Sequence, residues 1–313
     1  MNRPRRIATA VALSAALYAA AVCLAPVATL AVMLVPLPAL ILATRAPFAE
    51  CVAWLGLTSA LLAGGLGVPT ALGFALPLGA PTVVLAFALG RFWSLERTVV
   101  SGVLVWSLAI AGVSLLAFGG NVETLIATVR EQLQHSFDLA LATTGSFGAP
   151  DTTVAAVAAE RDVVIEALLE LMPGLIVLAG GVLVLANLMV VRGWTGIARN
   201  VNLRLWRTPD ALIWALIIAG FGVFLPLEPV ALVARNVFVV LLGCYFCQGL
   251  AIVSYYLDRF RLPRGIQVAG YVLIAVQHVV AALVLALGVF DLWGNFRRLG
   301  AGPADVRFDT DGD

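Results

Sequence analysis

The sequence contains no lysine, and charged residues make up only 12% of its 313 residues. Soluble domains carry about 25% charged residues, so this chain has too few charges to solvate the surface of a 32.8 kDa globule. Hydrophobic residues make up 62% of it, and the mean hydropathy is +1.02. This composition excludes a soluble enzyme and a disordered chain. Because the net charge is only +1, it also excludes a nucleic-acid binder with a basic face.

Residues that usually carry chemistry are scarce as well. The chain has four cysteines and two histidines, His135 and His278, and no cluster with zinc spacing. Cys244 and Cys247 have the spacing of a redox pair, but they lie in an apolar run without the exposure that thiol chemistry needs. There is no phosphate-binding loop and no nucleophile elbow. We therefore expect neither an enzyme nor a bound metal or cofactor.

The few charges divide the chain into uncharged stretches that are long enough to cross a membrane. A membrane helix needs about 20 apolar residues. Two of the stretches, with 38 residues between Arg6 and Arg45 and 40 between Glu50 and Arg91, each have room for two helices. The sequence therefore predicts an all-α, polytopic membrane bundle with about nine spans. Eight spans, with an early proline-rich segment re-entrant, is the alternative.

The spans imply four regions. Residues 1–118 hold about five spans, 119–171 form an outer amphipathic helical segment, 172–290 hold about four spans, and 291–313 are a polar tail. The outer segment carries eight acidic residues and two arginines. We expect its helices either to rest on the membrane or the mouth of the bundle, or to act as a lid or docking site.

The distribution of arginines predicts the orientation. Arginines concentrate in alternate loops, and such loops are cytoplasmic under the positive-inside rule. The exclusive use of arginine, with abundant alanine, is typical of a GC-rich bacterial genome. We therefore expect a multi-pass protein of the bacterial cytoplasmic membrane with a cytoplasmic N-terminus, although the first run could instead be a signal peptide. Nine spans place Arg297 and Arg298 outside, against the rule.

Polar side chains inside the predicted spans are the candidate binding residues. Buried polarity is costly in lipid and indicates function or interhelical hydrogen bonding. The set could line one internal pocket between the C-terminal helices, or it could join helices at about 0.6 kcal/mol per contact. The candidate pocket residues are Asn187, Asn236, Gln248, Tyr255, Tyr271, Gln277 and His278.

Two further features concern helix contacts. In the first predicted helix, alanines recur at every fourth position, and such a ridge favours close helix packing. The members of this alanine ridge are Ala8, Ala12, Ala16 and Ala20. Separately, Arg235 lies near the outer end of its span, where it can snorkel to the interface or pair with Glu228.

Three segments resemble a known family. They are Leu171-Met172-Pro173-Gly174 continuing to Asn187, the run from Gln248-Gly249 to Leu257, and the run from Gly288 through Asp291 to Arg298. In that order they are similar to the YybS-like family of bacterial integral membrane proteins, a domain of unknown function. The likeness covers most of the chain and is most specific within about 170–298.

The resemblance has a functional implication. The YybS-like family is distantly similar to the substrate-binding components of energy-coupling-factor transporters and to the scaffold protein MreD. The alanine ridge would then resemble the Ala-x-x-x-Ala contact by which such components dock a membrane partner. This chain departs from them by having more than six spans and by its long outer segment.

These observations lead to two hypotheses of function. The first is a transport-related or substrate-binding membrane subunit without its own ATPase. The second is a cell-envelope scaffold or assembly protein that binds other membrane proteins. Expected partners are the lipid bilayer, a membrane protein and a small-molecule ligand, but not nucleic acid.

Overall fold

A computed structural model describes residues 3–24, 28–146, 151–195 and 206–297, and within these ranges the chain is helical and contains no strand. The tail beyond Arg297, including Arg298, lies outside the described residues, as do Arg199 and Arg204, which are predicted to be cytoplasmic. The helices are α1 (Arg3–Cys23), α2 (Ala28–Leu34), α3 (Leu37–Ala43), α4 (Phe48–Leu66), α5 (Val68–Phe74), α6 (Ala80–Gly90), α7 (Leu95–Ala117), α8 (Val122–Ser146), α9 (Asp151–Ala159), α10 (Arg161–Thr195), α11 (Ala211–Gly222), α12 (Glu228–Arg259), α13 (Arg264–Val276) and α14 (His278–Gly294).

Six helical stretches of the described chain are long and apolar enough to cross a membrane. They are α1, α4, α5 with α6, α7, α10 and α12. The pair α13 and α14 passes the same test together but is bent by 101°. Ala28–Ala43 and Ala211–Gly222 are apolar but shorter. The polytopic all-α bundle predicted from the sequence is confirmed, and the count of nine spans stays a prediction.

The first helices form a hairpin held by one buried polar contact. Pro36 and Pro38 interrupt the apolar run after α2, because proline cannot donate the helical hydrogen bond. At this break, the Ser14 hydroxyl of α1 donates to the Val35 carbonyl (2.9 Å) and accepts a hydrogen bond from the Trp54 indole of α4 (3.2 Å). The hairpin is therefore tied to α4 through a hydroxyl with no solvent exposure.

Breaks between the next helices follow from local sequence. Gly67 separates α4 from α5 with a φ of 93°, which glycine adopts without strain. A π-helical turn, Ala75–Gly79, contains Pro77 and joins α5 to α6. The Ser94 side chain then caps α7 by accepting from the Arg97 backbone N–H. These signals divide this part of the chain into α4, the continuous stretch of α5 and α6, and α7.

Helix α10 is continuous across the predicted boundary between the outer segment and the C-terminal spans. Its first turns belong to the outer segment, where Arg130 of α8 pairs with Glu166 (2.8 Å) and Arg161 pairs with Asp138 (2.8 Å). Its later turns contact α7, α3 and α12. One helix therefore connects the acidic outer segment to the centre of the bundle.

Helices α12 and α14 pack through glycine. A side chain on Gly249 would overlap the backbone of Val284, and one on Gly288 would overlap the carbonyl of Tyr245. Only glycine permits this backbone approach, as in other small-residue contacts of membrane helices. Beyond this crossing, Tyr256 donates to the Phe296 carbonyl (2.7 Å). The end of α14 therefore lies beside the Arg259 end of α12.

This arrangement brings the end of α14 to the same side as the arginine-rich ends of the earlier helices. Arg297 donates to the Trp206 carbonyl (2.8 Å), and the Trp206 indole donates to Glu96 at the start of α7 (3.0 Å). In the N-terminal hairpin, Arg6 at the start of α1 donates to the Arg45 carbonyl just after α3 (3.2 Å). We call this face the arginine side. Arg297 lies on it, next to Trp206, while the number of crossings and the side of the membrane that the C-terminus faces stay predictions.

Candidate functional site

The seven predicted pocket residues do not meet in one cavity. Asn187 is buried in α10, where its amide donates to the Met33 carbonyl of α2 (3.0 Å) and to the Leu183 carbonyl of its own helix (2.8 Å). It therefore joins the N-terminal hairpin to α10, away from α13 and α14. Tyr271, Gln277 and His278 are exposed. The expectation of a single pocket between the C-terminal helices is thus corrected by the structure.

Gln248 instead lies in a closed polar cluster. Its carbonyl oxygen accepts from the backbone N–H (3.0 Å) and the hydroxyl of Thr208, and its amide donates to Asp291 (3.0 Å). The Arg297 guanidinium pairs with the same Asp291 oxygen at 2.7 Å. All four side chains are buried, with at most 5% exposure. We call Thr208, Gln248, Asp291 and Arg297 the inner cluster.

The inner cluster also shapes the end of α14. Asn295 adopts the left-handed conformation (φ 37°), which turns the chain after Gly294. The second Asp291 oxygen then accepts from the Phe296 backbone N–H (3.0 Å). Both carboxylate oxygens are therefore engaged by donors of this chain. A buried ion pair satisfied in this way holds structure and offers no open position for a ligand.

Two of the segments that carry the family resemblance meet in this cluster. Gln248-Gly249 supplies the amide and one side of the glycine contact, and the stretch from Gly288 to Arg297 supplies Asp291, Arg297 and the other side of that contact. From the sequence, Asp291 marks only the end of an uncharged stretch. The signal that it pairs inward is the arginine six residues later. Thr208 gives no such signal, because its contact depends on the position of a loop.

Asn236 performs a local structural task at Pro173. Its side-chain oxygen accepts from the Gly174 backbone N–H (2.7 Å), and its amide donates to the Glu170 carbonyl (2.8 Å). In an uninterrupted helix these two backbone groups would bond to each other. The Asn236 side chain therefore bonds to both of these backbone groups beside Pro173 and fastens α10 to α12.

Next to Asn236 lies a charged group that faces an open groove. Arg235 of α12 pairs with Glu170 of α10 and lies 3.8 Å from Glu228. The predicted pairing with Glu228 is therefore present, and Glu170 is a second and closer partner. The side chains of Arg235 and Glu170 are 29% and 44% exposed, in contrast to the inner cluster.

The groove forms because α10 and α11 both pack along α12 but make little contact with each other. Its cavity volume is about 720 Å³, within the range of ligand sites in proteins. Arg235 and Glu170 are its charged lining residues, and the rest of the lining is mainly apolar. The apolar residues include Leu171, Leu216, Ile217, Phe221, Phe224 and Phe238. We call this feature the outer groove.

The sequence gives partial signals for the outer groove. An arginine inside an apolar helix and the phenylalanines at the end of α11 are visible in the chain. Phe221 and Phe224 are 73% and 86% exposed. However, the separation of α10 from α11 depends on how both pack against α12, which residue spacing alone does not define.

The remaining candidates lie on the surface of the described structure. Tyr255 is half-buried and accepts a long hydrogen bond from Arg259 (3.4 Å). In the alanine ridge, Ala8, Ala12 and Ala16 are exposed and Ala20 is half-buried, whereas the opposite face of α1 is packed. The chain's own helices therefore leave the ridge largely uncovered.

Potential ligands for metals or redox chemistry are dispersed. In the described ranges, no group of three or more His, Cys, Asp or Glu side chains is placed to hold a metal ion. Cys23, Cys51, Cys244 and Cys247 are all free thiols. Arg235 and Glu170 of the outer groove are a charged set with access to an open cavity.

Comparisons with known proteins give one match. No curated protein and no solved structure matches the chain. A family model described as "Predicted membrane protein (DUF2232)" matches residues 12–292, a range that contains the inner cluster up to Asp291, the outer groove and nearly all of the described helices. The chain therefore belongs to the DUF2232 family of predicted membrane proteins.

Proposed function

We propose that this multi-pass membrane protein is a transport-related, substrate-binding subunit without its own ATPase. The observation that carries the proposal is the outer groove, an open cavity of about 720 Å³ with one charged end. Apolar walls with a few fixed polar groups are typical of small-molecule sites. The proposal thus moves the binding site from the predicted C-terminal pocket to the space between α10, α11 and α12.

Binding fits the groups around the groove better than catalysis does. The carboxylate of Glu170 is paired with Arg235, and the described chain places no histidine or nucleophile in the lining. General acid–base or covalent catalysis needs such a group within hydrogen-bond reach of the substrate. Arg235 and Glu170 can fix a polar group of a ligand by charge-assisted hydrogen bonds.

A subunit without an ATPase needs a membrane partner to couple it to energy. The uncovered alanine ridge on α1 supports such a partner, because small residues let another helix approach closely. The resemblance to energy-coupling-factor components implies the same contact. Partner docking through Ala8, Ala12 and Ala16 is therefore part of the proposal.

The proposed setting is the bacterial cytoplasmic membrane with the arginine side in the cytoplasm. The positive-inside rule supports this orientation. Arg3 and Arg6 lie near Glu50 and Arg45, so the N-terminus is on that side. Arg297 contacts the same side through Trp206, which supports a cytoplasmic position for the end of α14 as part of the proposal.

The proposal is tested by purifying the full chain in mild detergent and identifying bound small molecules by native mass spectrometry. Ala167 lines the outer groove and is exposed, so Ala167→Phe should fill the groove and remove the bound molecule. Ala111 is exposed on α7 outside the groove, and Ala111→Phe should retain it. A wild-type protein that carries no molecule beyond the detergent would refute a binding function for the groove.

A second function, an envelope scaffold, is favoured by α8. This helix contains no buried side chain along its described length, and Ile126 and Leu139 are 45% and 62% exposed. A photo-crosslinker at Ile126 should then trap a protein partner in native membranes, while one at Ala111 should not. Equal trapping at the two positions would count against the scaffold.

A further inference from the structure

We infer that the outer groove binds a zwitterionic phospholipid taken from the bilayer, with one acyl chain along the groove and the headgroup at Arg235. This inference rests on the proposed function and names the class of its substrate. It follows from the order of polar and apolar groups along the groove, from the charges at its end and from the way it opens.

The groove has the polarity of a single amphiphile. Its charged end is formed by Glu170 and Arg235, at the end of α12 nearest the acidic outer segment. From there the apolar lining continues from Phe224 onto α11, where Phe221 to Leu216 span about 8 Å at 1.5 Å per residue. A ligand that satisfies both parts needs a charged head and an apolar chain.

The charges select the type of headgroup. Arg235 has Glu170 as its close partner and Glu228 at 3.8 Å, so these three groups sum to a charge of −1. A purely anionic headgroup would meet two carboxylates as well as the arginine. A purely cationic headgroup would compete with Arg235 for the two carboxylates and would leave the guanidinium without an acceptor.

A zwitterion fits this set of charges. A phosphate accepts two parallel hydrogen bonds from a guanidinium, and an ammonium donates to carboxylates. A phosphoethanolamine headgroup thus replaces the Arg235–Glu170 pair by two intermolecular pairs. Because Glu170 and Glu228 are 44% and 84% exposed, both can reach an ammonium without leaving a buried charge unpaired.

The way the groove opens points to the bilayer as the source. Its two walls, α10 and α11, make little contact with each other, so the cavity is open along its length. Phe221 and Phe224 stand exposed at its rim, so apolar rings border the opening. A lipid can therefore enter sideways with one chain, while its second chain stays in the bilayer.

The test measures lipids retained by the full chain after transfer from nanodiscs of equal phosphatidylethanolamine and phosphatidylglycerol into detergent, by native mass spectrometry. We expect one tightly held phosphatidylethanolamine. Arg235→Gln should lower its affinity about tenfold or more, as expected for one lost charge-assisted contact. Ala167→Phe should abolish retention, and Ala111→Phe should leave it unchanged.

The contrary results are distinguishable. Equal retention of both lipids, or retention unchanged in Ala167→Phe, would overturn the lipid assignment. A water-soluble molecule held in place of lipid would overturn it while leaving the proposed binding function intact. Retention of no lipid and no other molecule by a folded wild-type protein would refute both the assignment and the proposed function.

Discussion

The two halves of α12 carry polar centres of opposite character. On the half nearest the arginine side, Gln248 belongs to the inner cluster, whose side chains are buried and bonded to one another. On the half nearest the acidic segment, Arg235 and Glu170 are partly exposed beside an open cavity. Polar residues of one helix therefore have different surroundings: one set is closed off by its own chain, and the other borders an open cavity.

The two centres should also differ in what they contribute to stability. Removing one partner of a buried ion pair leaves an unpaired charge and costs about 3–5 kcal/mol. A partly exposed pair contributes about 0–1 kcal/mol, because solvent screens it. The inner cluster should therefore control folding, while the Arg235–Glu170 pair can exchange partners at small cost.

The largest expected effect is an all-or-none result, and it concerns which side of the membrane each of the two centres faces. If the arginine side, where α14 ends, faces the cytoplasm, a reporter that is active only in the cytoplasm should be active when fused after Asp313. A cysteine introduced at Val163 of α10, which is 66% exposed, should react with a thiol reagent added from outside. An exported reporter that is active after Asp313 would instead support nine crossings.

Loss of Asp291 is the largest expected stability effect. Asp291→Leu should lower the free energy of unfolding by about 3–5 kcal/mol, because Arg297 remains buried without its carboxylate. Thermal unfolding in detergent measures the change. Asp162→Leu, at an exposed position of α10, is the matched control and should cost about 0.5 kcal/mol.

A double variant of the inner cluster tests whether the unpaired charge or the changed side-chain shape causes the loss of stability. Asp291→Leu combined with Arg297→Met should recover most of the lost stability, because apolar replacement of a whole buried pair is often neutral. If the double variant is as unstable as Asp291→Leu alone, the unpaired arginine is not the cause of the loss.

The next largest loss of stability is expected at the glycine contact between α12 and α14. Gly288→Ala places a methyl group against the Tyr245 carbonyl and should destabilise the protein by about 1–3 kcal/mol. Gly181→Ala on α10 meets nothing within 4 Å and should be neutral or slightly stabilising. Equal unfolding temperatures of the two variants would contradict the close α12–α14 packing.

The smallest effect on stability belongs to the outer groove. Glu170→Gln should change the free energy of unfolding by at most about 1 kcal/mol, because the side chain is 44% exposed. The same thermal measurement applies. A loss comparable to that of Asp291→Leu would mean that the outer pair is structural and that the contrast between the two centres does not hold.

Much of the fold could be predicted from the sequence, because charges are excluded from lipid and mark the ends of spans. The outer helical segment and the breaks at Gly67 and near Pro36 follow from the same local rules. The course of the last segment could not be predicted in this way. An uncharged run from Arg264 to Asp291 is compatible with one crossing or with a bent pair, and only the contacts of α14 distinguish them.

The candidate site shows a similar limit. Helical periodicity shows which residues share a face, but it gives no information about which helix covers that face. Asn187, Asn236 and Gln248 were expected to share a pocket, yet each bonds to a different neighbour. The outer groove depends on the separation of α10 and α11, a property of packing that no single segment encodes.

Ligand-dependent unfolding of the wild type and Ala167→Phe tests most directly whether the outer groove binds the phospholipid. At a phosphatidylethanolamine concentration 100 times Kd, the wild type should gain about 2.7 kcal/mol in the free energy of unfolding. Ala167→Phe should unfold like the wild type without added lipid and gain nothing when lipid is added. An equal gain in both proteins would contradict the outer groove as the binding site.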